Sequence, residues 1–248
     1  MTPEVLVFLA AGVVGGAVNA AAGGAKLFVF PMLLATGLPP IAANVTQGVA
    51  LWPAQLPAVW VYRRELRAQM RRLGRQMIPA LAGSLLGALV MVNAGNDAFV
   101  RVVPVLLAIS VVFIVLGPKT TDMMRRLFPG DRLGTATGVL LALIGFYGGF
   151  FGAGMGFMLL AVLSASSGMG LGQVNGAKNL FAAAIQSVAV VPMILSGLVD
   201  WVAALCVLAG GVTGGYIGAR ITRQLPERIV RIGVAALGVL LTMSFLIR

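Results

Sequence analysis

The sequence predicts an all-α polytopic membrane protein, built from two inverted five-segment repeats that each contain a glycine-rich membrane hairpin. Hydrophobic residues make up 59% of the 248 residues and charged residues only 10%, whereas soluble domains are about 25% charged. So few charges cannot cover a water-facing surface, so lipid is the expected solvent. The two halves also align without a gap at one constant offset, which places Gly23 against Gly154. We therefore treat 1–248 as a single transmembrane domain.

Apolar segments of helical length recur along the whole chain. They cover 4–21, 27–38, 41–62, 77–93, 98–117, 134–151, 155–168, 171–197, 201–219 and 229–247. A full crossing takes about 20 helical residues, so 27–38 and 155–168 are short for a crossing. Repeat 1 spans about 4–117, a linker covers 118–133, and repeat 2 spans about 134–247.

The net charge of +11 is concentrated between the apolar segments. Fourteen of the 18 basic residues lie in three clusters, within or beside 63–76, 118–133 and 220–228. Such clusters follow the positive-inside rule, which places them in the cytoplasm of a bacterial inner (plasma) membrane protein. Both termini are then predicted outside. This arrangement argues against a nucleic-acid partner, and a dedicated lipid-binding patch is the alternative explanation of the clusters.

The repeat is best supported by its polar matches. Asn44 corresponds to Asn175, and Gln55 corresponds to Gln186, and polar side chains are costly in lipid. The segment ending near residue 62 leads into a basic cytoplasmic loop, whereas its equivalent ending near 195 exits outward. The halves are therefore predicted to have opposite orientations, as in many secondary transporters. Two unrelated halves of similar composition remain the alternative.

A glycine-rich break follows the first helix of each half, at 19–26 and 148–156. Glycine permits tight turns, and non-helical backbone at membrane depth must be buried in protein or line a polar cavity. We predict hairpin tips inside the membrane, with close helix packing by small residues as the alternative. The helix that restarts after each tip directs free N–H groups at it, which favours anion binding.

Polar residues line one face of the helix that follows each predicted hairpin, because they recur at steps of three and four. Only two charges, Lys26 and Lys178, lie deep in apolar segments, and all seven acidic residues lie in loops or at segment ends. An anionic substrate is therefore the expected counter-charge, with snorkelling or carbonyl-bonded lysines as the alternative. The candidate substrate-binding residues are Asn19, Gly23, Gly24, Lys26, Asn44, Thr46, Gln47, Gln55, Gly154, Gly156, Asn175, Lys178, Asn179 and Gln186.

The residue inventory argues against other functions. The chain has no histidine, its only cysteine is Cys206, and it has no phosphate-binding loop. We therefore expect no catalytic residues, no enzyme activity, no metal site and no cofactor. A coupling ion, either a proton or Na⁺, stays open, because backbone carbonyls at the tips could bind Na⁺.

The tips and the segments after them resemble a known family. The resemblance rests on 22–26, Pro31, 37–44, 152–156 and 175–179, and it covers nearly the whole chain. By these motifs the chain resembles the TauE/SafE family of sulfite and organosulfonate exporters. It departs from the family pattern at Val162, which stands where the equivalent of Pro31 is expected. The resemblance implies export of a sulfur-containing or carboxylate anion.

These observations together predict a secondary transporter that exports a small anion by alternating access, with sulfite or an organosulfonate as the implied substrate. Its partners are then the anion, a coupling ion and the lipid bilayer. A passive anion channel and a non-transporting membrane assembly factor are the alternatives. Two Gly-x-x-x-Gly faces, at Gly83 and Gly87 and at Gly214 and Gly218, could serve a homodimer or internal packing.

Overall fold

The computed structural model describes residues 3–22, 24–127, 132–166, 169–222, 236 and 239, and these residues contain no strand. The helices are α1 (Pro3–Ala22), α2 (Ala25–Ala35), α3 (Pro40–Leu51), α4 (Leu56–Leu66), α5 (Met70–Asn93), α6 (Asn96–Leu127), α7 (Arg132–Phe150), α8 (Met155–Ser166), α9 (Leu171–Leu195) and α10 (Trp201–Thr222). The predicted all-α class is confirmed. The predicted segment 229–247 lies outside the described residues except for two helical positions.

The apolar helices fit a polytopic membrane protein. Three helical stretches within the described residues are long and apolar enough to cross a membrane: Pro40–Asn93, Asn96–Phe113 and Gly172–Leu195. Shorter apolar helical stretches cover Pro3–Asn19, Ala25–Ala35, Ala136–Phe150, Met155–Ser166 and Trp201–Ile217. Together they support several passes through the bilayer.

The segment predicted as one helix over 41–62 is divided by a 3₁₀ turn. The turn covers Pro53–Gln55, between α3 and α4. Pro53 has no backbone N–H and cannot continue the α-helical ladder, and the Gln55 N–H bonds three residues back to the Trp52 carbonyl at 3.1 Å. The first polar helix is therefore interrupted near the middle of the predicted segment.

The first basic stretch, predicted as a loop over 63–76, is instead helical. Helix α4 runs to Leu66, a second 3₁₀ turn covers Arg67–Gln69, and α5 starts at Met70. Helix α6 likewise continues to Leu127, beyond the start of the predicted linker at 118. The predicted apolar segments ended where charged residues begin. Arginine is a good helix former, however, so the helix continues through the basic residues.

Two helix pairs, α1 with α10 and α5 with α7, pack at very short distance through glycine. A Cβ atom on Gly83 would collide with the Ala142 carbonyl oxygen, and one on Gly87 would collide with the Phe146 carbonyl oxygen. A Cβ atom on Gly214 would likewise collide with Val13. These three glycines of the predicted Gly-x-x-x-Gly faces therefore serve internal packing, where small residues let backbones approach.

Helix boundaries recur along the chain. Helices α3 and α9 start at Pro40 and Leu171, and α5 and α10 start at Met70 and Trp201, so both pairs of starts are separated by the same number of positions. This separation equals that of Asn44 from Asn175 in the sequence alignment of the halves. The two glycine-packed pairs also correspond. Helix α1, the first of repeat 1, packs on α10, and α7, the first of repeat 2, packs on α5. The spacing seen in the sequence is thus also the spacing of these two pairs of helix starts.

An aromatic cluster surrounds the turn between α7 and α8. The Phe151 ring packs edge-on against Phe30 of α2, with ring centroids 5.5 Å apart. The Phe150 ring lies 5.6 Å from Phe99 of α6. Phe30, Phe99 and Phe151 are fully buried. The turn is therefore anchored by its own side chains between α2 and α6.

Candidate functional site

The site is centred on the turn that joins α7 to α8, residues 151–154, which we call the second tip. Gly152 and Gly154 adopt φ of +78° and +71°, a left-handed conformation that is favourable only for glycine. These two glycines reverse the chain within this short turn. The break therefore lies where the sequence predicted it, and α7 and α8 pack against each other beyond it.

Side chains from three other helices hold the last carbonyl group of α7 and two carbonyl groups of this turn. Asn44 Nδ2 of α3 donates to the Phe150 carbonyl at 2.9 Å. Lys26 Nζ of α2 donates to the Phe151 carbonyl at 3.0 Å. The Ala153 carbonyl lies 2.9 Å from the Ser110 hydroxyl of α6. Buried carbonyl groups need donors, and here the donors tie the turn to the rest of the bundle.

Lys26 is the charged centre of the site. Its side chain is only 7% exposed, and Nζ donates a second hydrogen bond to Gln186 Oε1 at 3.1 Å. Both acceptors are uncharged oxygens, so they solvate the ammonium without neutralising it. A buried cation of this kind is costly unless an anion comes close.

Gln186 connects this ammonium to the first polar helix. Its Nε2 lies 3.4 Å from the Gly48 carbonyl of α3, a long hydrogen bond. Gln186 is 1% exposed. The hydrogen bonds therefore run from the second tip through Lys26 and Gln186 to α3.

Asn44 and Gln47 continue the network along α3. Gln47 Nε2 donates to Asn44 Oδ1 at 3.0 Å, and Asn44 in turn donates to the Phe150 carbonyl at the end of α7. Gln47 Oε1 is buried and has no hydrogen-bond partner among the described residues. Hydrogen bonds thus connect Lys26, Asn44, Gln47 and Gln186 around one turn.

Lys178 lies on α9, on the face that packs against α8. Its Cδ lies 3.8 Å from the point that a Cβ atom on Gly156 would occupy, and the side chain is half-buried. Gly156 is in the first turn of α8. The second lysine therefore runs beside the beginning of α8. Two N–H groups of this first turn, those of Met155 and Phe157, donate to the Gly152 and Gly154 carbonyls at 3.4 and 3.0 Å.

The other predicted site residues have varied surroundings. Thr46 is buried, but its hydroxyl accepts a hydrogen bond from the Asp200 N–H at 3.0 Å, at the turn between α9 and α10. The structure therefore groups only part of the predicted set around the second tip. Asn175, Asn179 and Gln55 are half-buried, Gly24 is buried just before α2, Asn19 is exposed, and Gly23 lies outside the described residues.

Two residues of the site were not singled out by sequence reasoning, Ser110 and Tyr147. Their hydroxyl oxygens lie 2.6 Å apart, and Tyr147 Oη donates to the Ala153 carbonyl at 2.6 Å. Each is a polar residue within an apolar segment, 98–117 and 134–151. That placement was the available signal, because such residues in membrane segments rarely face lipid.

A family model and several known proteins match this chain over most of its length. The family model described as "Sulfite exporter TauE/SafE" matches residues 8–245. A probable membrane transporter protein of Haemophilus influenzae is 26% identical over 235 residues, covering 93% of this chain and 90% of the relative.

Two further relatives are similar at comparable levels. The probable membrane transporter protein YfcA of Escherichia coli K12 is 25% identical over 229 residues, covering 92% of this chain and 83% of the relative. The probable membrane transporter protein ORF9 of a Sinorhizobium species is 24% identical over 229 residues, covering 92% of this chain and 87% of the relative. No solved structure matches the chain.

Proposed function

Because this chain belongs to the sulfite exporter TauE/SafE family of membrane proteins, we propose that it exports a small anion, sulfite or an organosulfonate, across the bacterial inner membrane. The relatives are membrane transporters by name, which makes transport the general function. The anion carried, the direction of transport and the alternating-access mechanism are what we propose.

The observation that carries the proposal is the Lys26 ammonium. It lies at 7% exposure in a strongly apolar chain, and its two acceptors are a backbone carbonyl and the Gln186 amide. Two hydrogen bonds leave one of the three N–H groups of an ammonium for another ligand. An oxyanion would supply both the third acceptor and the missing negative charge.

Two further features favour an anion at the same place. Lys178 runs beside Gly156 in the first turn of α8, so a second positive charge lies near that helix N-terminus. The positive end of the helix dipole attracts anions there. The bound anion would lie between the second tip and the polar faces of α3 and α9.

The transport mechanism in this proposal uses the two halves as inverted repeats. The recurrence of helix starts at the repeat spacing and the matching pairs α1–α10 and α7–α5 support it. Both glycine-rich turns would be hairpin tips at membrane depth, buried in protein as non-helical backbone requires. One repeat would move against the other around the anion.

The orientation follows from the basic residues. The arginines of the α4–α5 region are exposed, and the Arg63 guanidinium carbon lies 3.8 Å from the centroid of the exposed Trp60 ring. Aromatic and basic residues together are typical of the membrane–water interface. We place this end in the cytoplasm and both termini outside.

Reconstitution tests the proposal. Purified protein in liposomes loaded with sulfite, or separately with ethanesulfonate, should release the anion saturably, and external anion should accelerate the exchange of labelled substrate. Lys178→Met should reduce the flux at least about tenfold, whereas Lys119→Met, which alters the remaining lysine of the chain, should not. A voltage-driven current far above carrier rates would identify a channel. No flux of either anion would leave the assembly-factor alternative.

A further inference from the structure

Gln47 carries an unpartnered polar atom at the centre of the site. The side chain is 0% exposed, its Nε2 donates to Asn44, and its Oε1 has no partner among the described residues. A buried acceptor without a donor is costly and rare in native proteins. Gln55 Oε1 and Gln76 Oε1 are also buried without a partner among the described residues. Gln47 differs from them because it is hydrogen-bonded to Asn44, which holds the Phe150 carbonyl beside the second tip. A ligand at this place would supply the missing donor.

The orientation of the Gln47 side-chain amide is fixed, because its hydrogen bonds lead to a backbone carbonyl, which can only accept. The Phe150 carbonyl requires Asn44 to direct Nδ2 at it, so Asn44 Oδ1 faces Gln47. That oxygen requires a donor, which is Gln47 Nε2. Exchanging the oxygen and nitrogen of either amide would place two like groups against each other. Gln47 Oε1 is therefore an acceptor that still needs a donor.

The unmatched oxygen belongs to the same hydrogen-bonded ring as the Lys26 ammonium. Asn44 and Lys26 hold successive carbonyls of the chain, Phe150 and Phe151. On the other side, Gly48, the neighbour of Gln47, accepts from Gln186, which accepts from Lys26. The ring thus contains both an unmatched acceptor and a cation.

From this geometry we infer that the anion carries a hydroxyl group, which donates its hydrogen to Gln47 Oε1 while the anionic group binds at Lys26. The inference rests on the proposed function and narrows its substrate class to hydroxysulfonates and related hydroxylated anions. A ligand ammonium could also donate, but Lys26 and Lys178 would repel it. A neutral O–H supplies the hydrogen without that repulsion.

The test compares ligands that differ only in this group. In 2-hydroxyethanesulfonate a hydroxyl stands where 1-propanesulfonate has a methyl group. A site with an unpaired acceptor should discriminate between them, because the methyl group leaves the acceptor unsatisfied. Binding to purified protein, measured by titration calorimetry in low salt, should favour the hydroxylated ligand by at least about fivefold in Kd.

Two variants assign the preference to Gln47. In Gln47→Met the acceptor is replaced by an apolar side chain of similar length, and the ratio of the two Kd values should fall to about one. Gln76→Met is the matched control, since Gln76 Oε1 is also buried without a described partner but lies on α5. It should keep the wild-type ratio. Retention of the preference in Gln47→Met would overturn the inference.

A second ligand pair, glycolate and propionate, repeats the comparison on the wild-type protein and needs no variant. A preference for the hydroxylated member in both pairs supports the inference even if Gln47→Met fails to fold. Equal binding within both pairs overturns it and leaves anion transport standing. Binding of none of these ligands would overturn both the inference and the proposed substrate class.

Discussion

The Lys26 ammonium donates a hydrogen bond to Gln186 Oε1 at 3.1 Å, across 160 residues of sequence. The contact joins the first turn of α2 to the middle of α9, and both residues are buried. Because Lys26 also holds the Phe151 carbonyl, one side chain connects the beginning of α2, the polar face of α9 and the second tip. In the proposed function, this connection is what positions the anion site.

The energetic link between these two residues can be measured directly. Lys26→Met, Gln186→Leu and the double variant should give a double-mutant cycle with a coupling energy of about 0.5–2 kcal/mol. Each single change leaves a buried partner unsatisfied, so the double variant should be less unstable than the sum predicts. Unfolding in detergent measures the stabilities. Strict additivity would mean that the contact contributes no free energy of its own.

The hydroxyl pair at Ala153 should behave as a unit. Tyr147→Phe and Ser110→Ala each leave one hydroxyl within reach of the Ala153 carbonyl, so each alone should cost about 1 kcal/mol. The double variant removes both donors and should cost more than the two single changes together. Tyr62→Phe, on α4, is the matched control and should leave the melting temperature unchanged. A double variant as stable as wild type would remove this support of the tip.

Glycine at the second tip should be irreplaceable at position 154, whereas position 156 just after it should tolerate alanine. Gly154→Ala combines positive φ with a Cβ atom only 3.3 Å from Ser110 backbone atoms, and should cost at least about 1 kcal/mol of stability. A Cβ atom on Gly156 meets only Lys178 Cδ, at 3.8 Å, so Gly156→Ala should fold with near-normal stability. Thermal unfolding of both variants decides the point. Equal stabilities would contradict the turn geometry.

The close packing of α5 on α7 offers a comparison within one helix. Gly83→Ala forces a methyl group into the Ala142 carbonyl, whereas a Cβ atom on Gly74 meets nothing within 4 Å. Gly83→Ala should therefore destabilise the protein by about 1–3 kcal/mol. Gly74→Ala should stabilise it by about 0.5–1 kcal/mol, because alanine is the better helix former. Similar melting temperatures for the two variants would argue against internal packing through Gly83.

Much of the fold could be predicted from the sequence because the signals are local. Apolar runs predicted the helices, and glycine-rich stretches predicted the two breaks. The spacing of polar residues predicted that Asn44 and Gln47 lie on one face of a helix. The helical basic stretch was not predicted, because charge by itself does not end a helix. Pro53 within the first polar helix predicts a kink, and the 3₁₀ turn at Pro53–Gln55 interrupts the helix at that residue.

The partners of the site residues could not be predicted, because they depend on tertiary packing. Sequence identified Lys26 as a buried cation, but not its contact with the Phe151 carbonyl, 125 residues away. It grouped Thr46 with the site, whereas the structure pairs Thr46 with the Asp200 N–H. Ser110 and Tyr147 were overlooked, because a hydroxyl in an apolar segment has many carbonyls within possible reach.

In the proposed function, an anion binds between the second tip and the polar helices, next to Lys26 and Lys178. A thermal-shift titration of purified protein with sulfite in low salt tests it most directly, with Lys178→Met beside wild type and Lys119→Met as the control. The account predicts saturable stabilisation of wild type and Lys119→Met, and its loss in Lys178→Met. Equal stabilisation of all three proteins would contradict the site, and no stabilisation of wild type would contradict sulfite as its ligand.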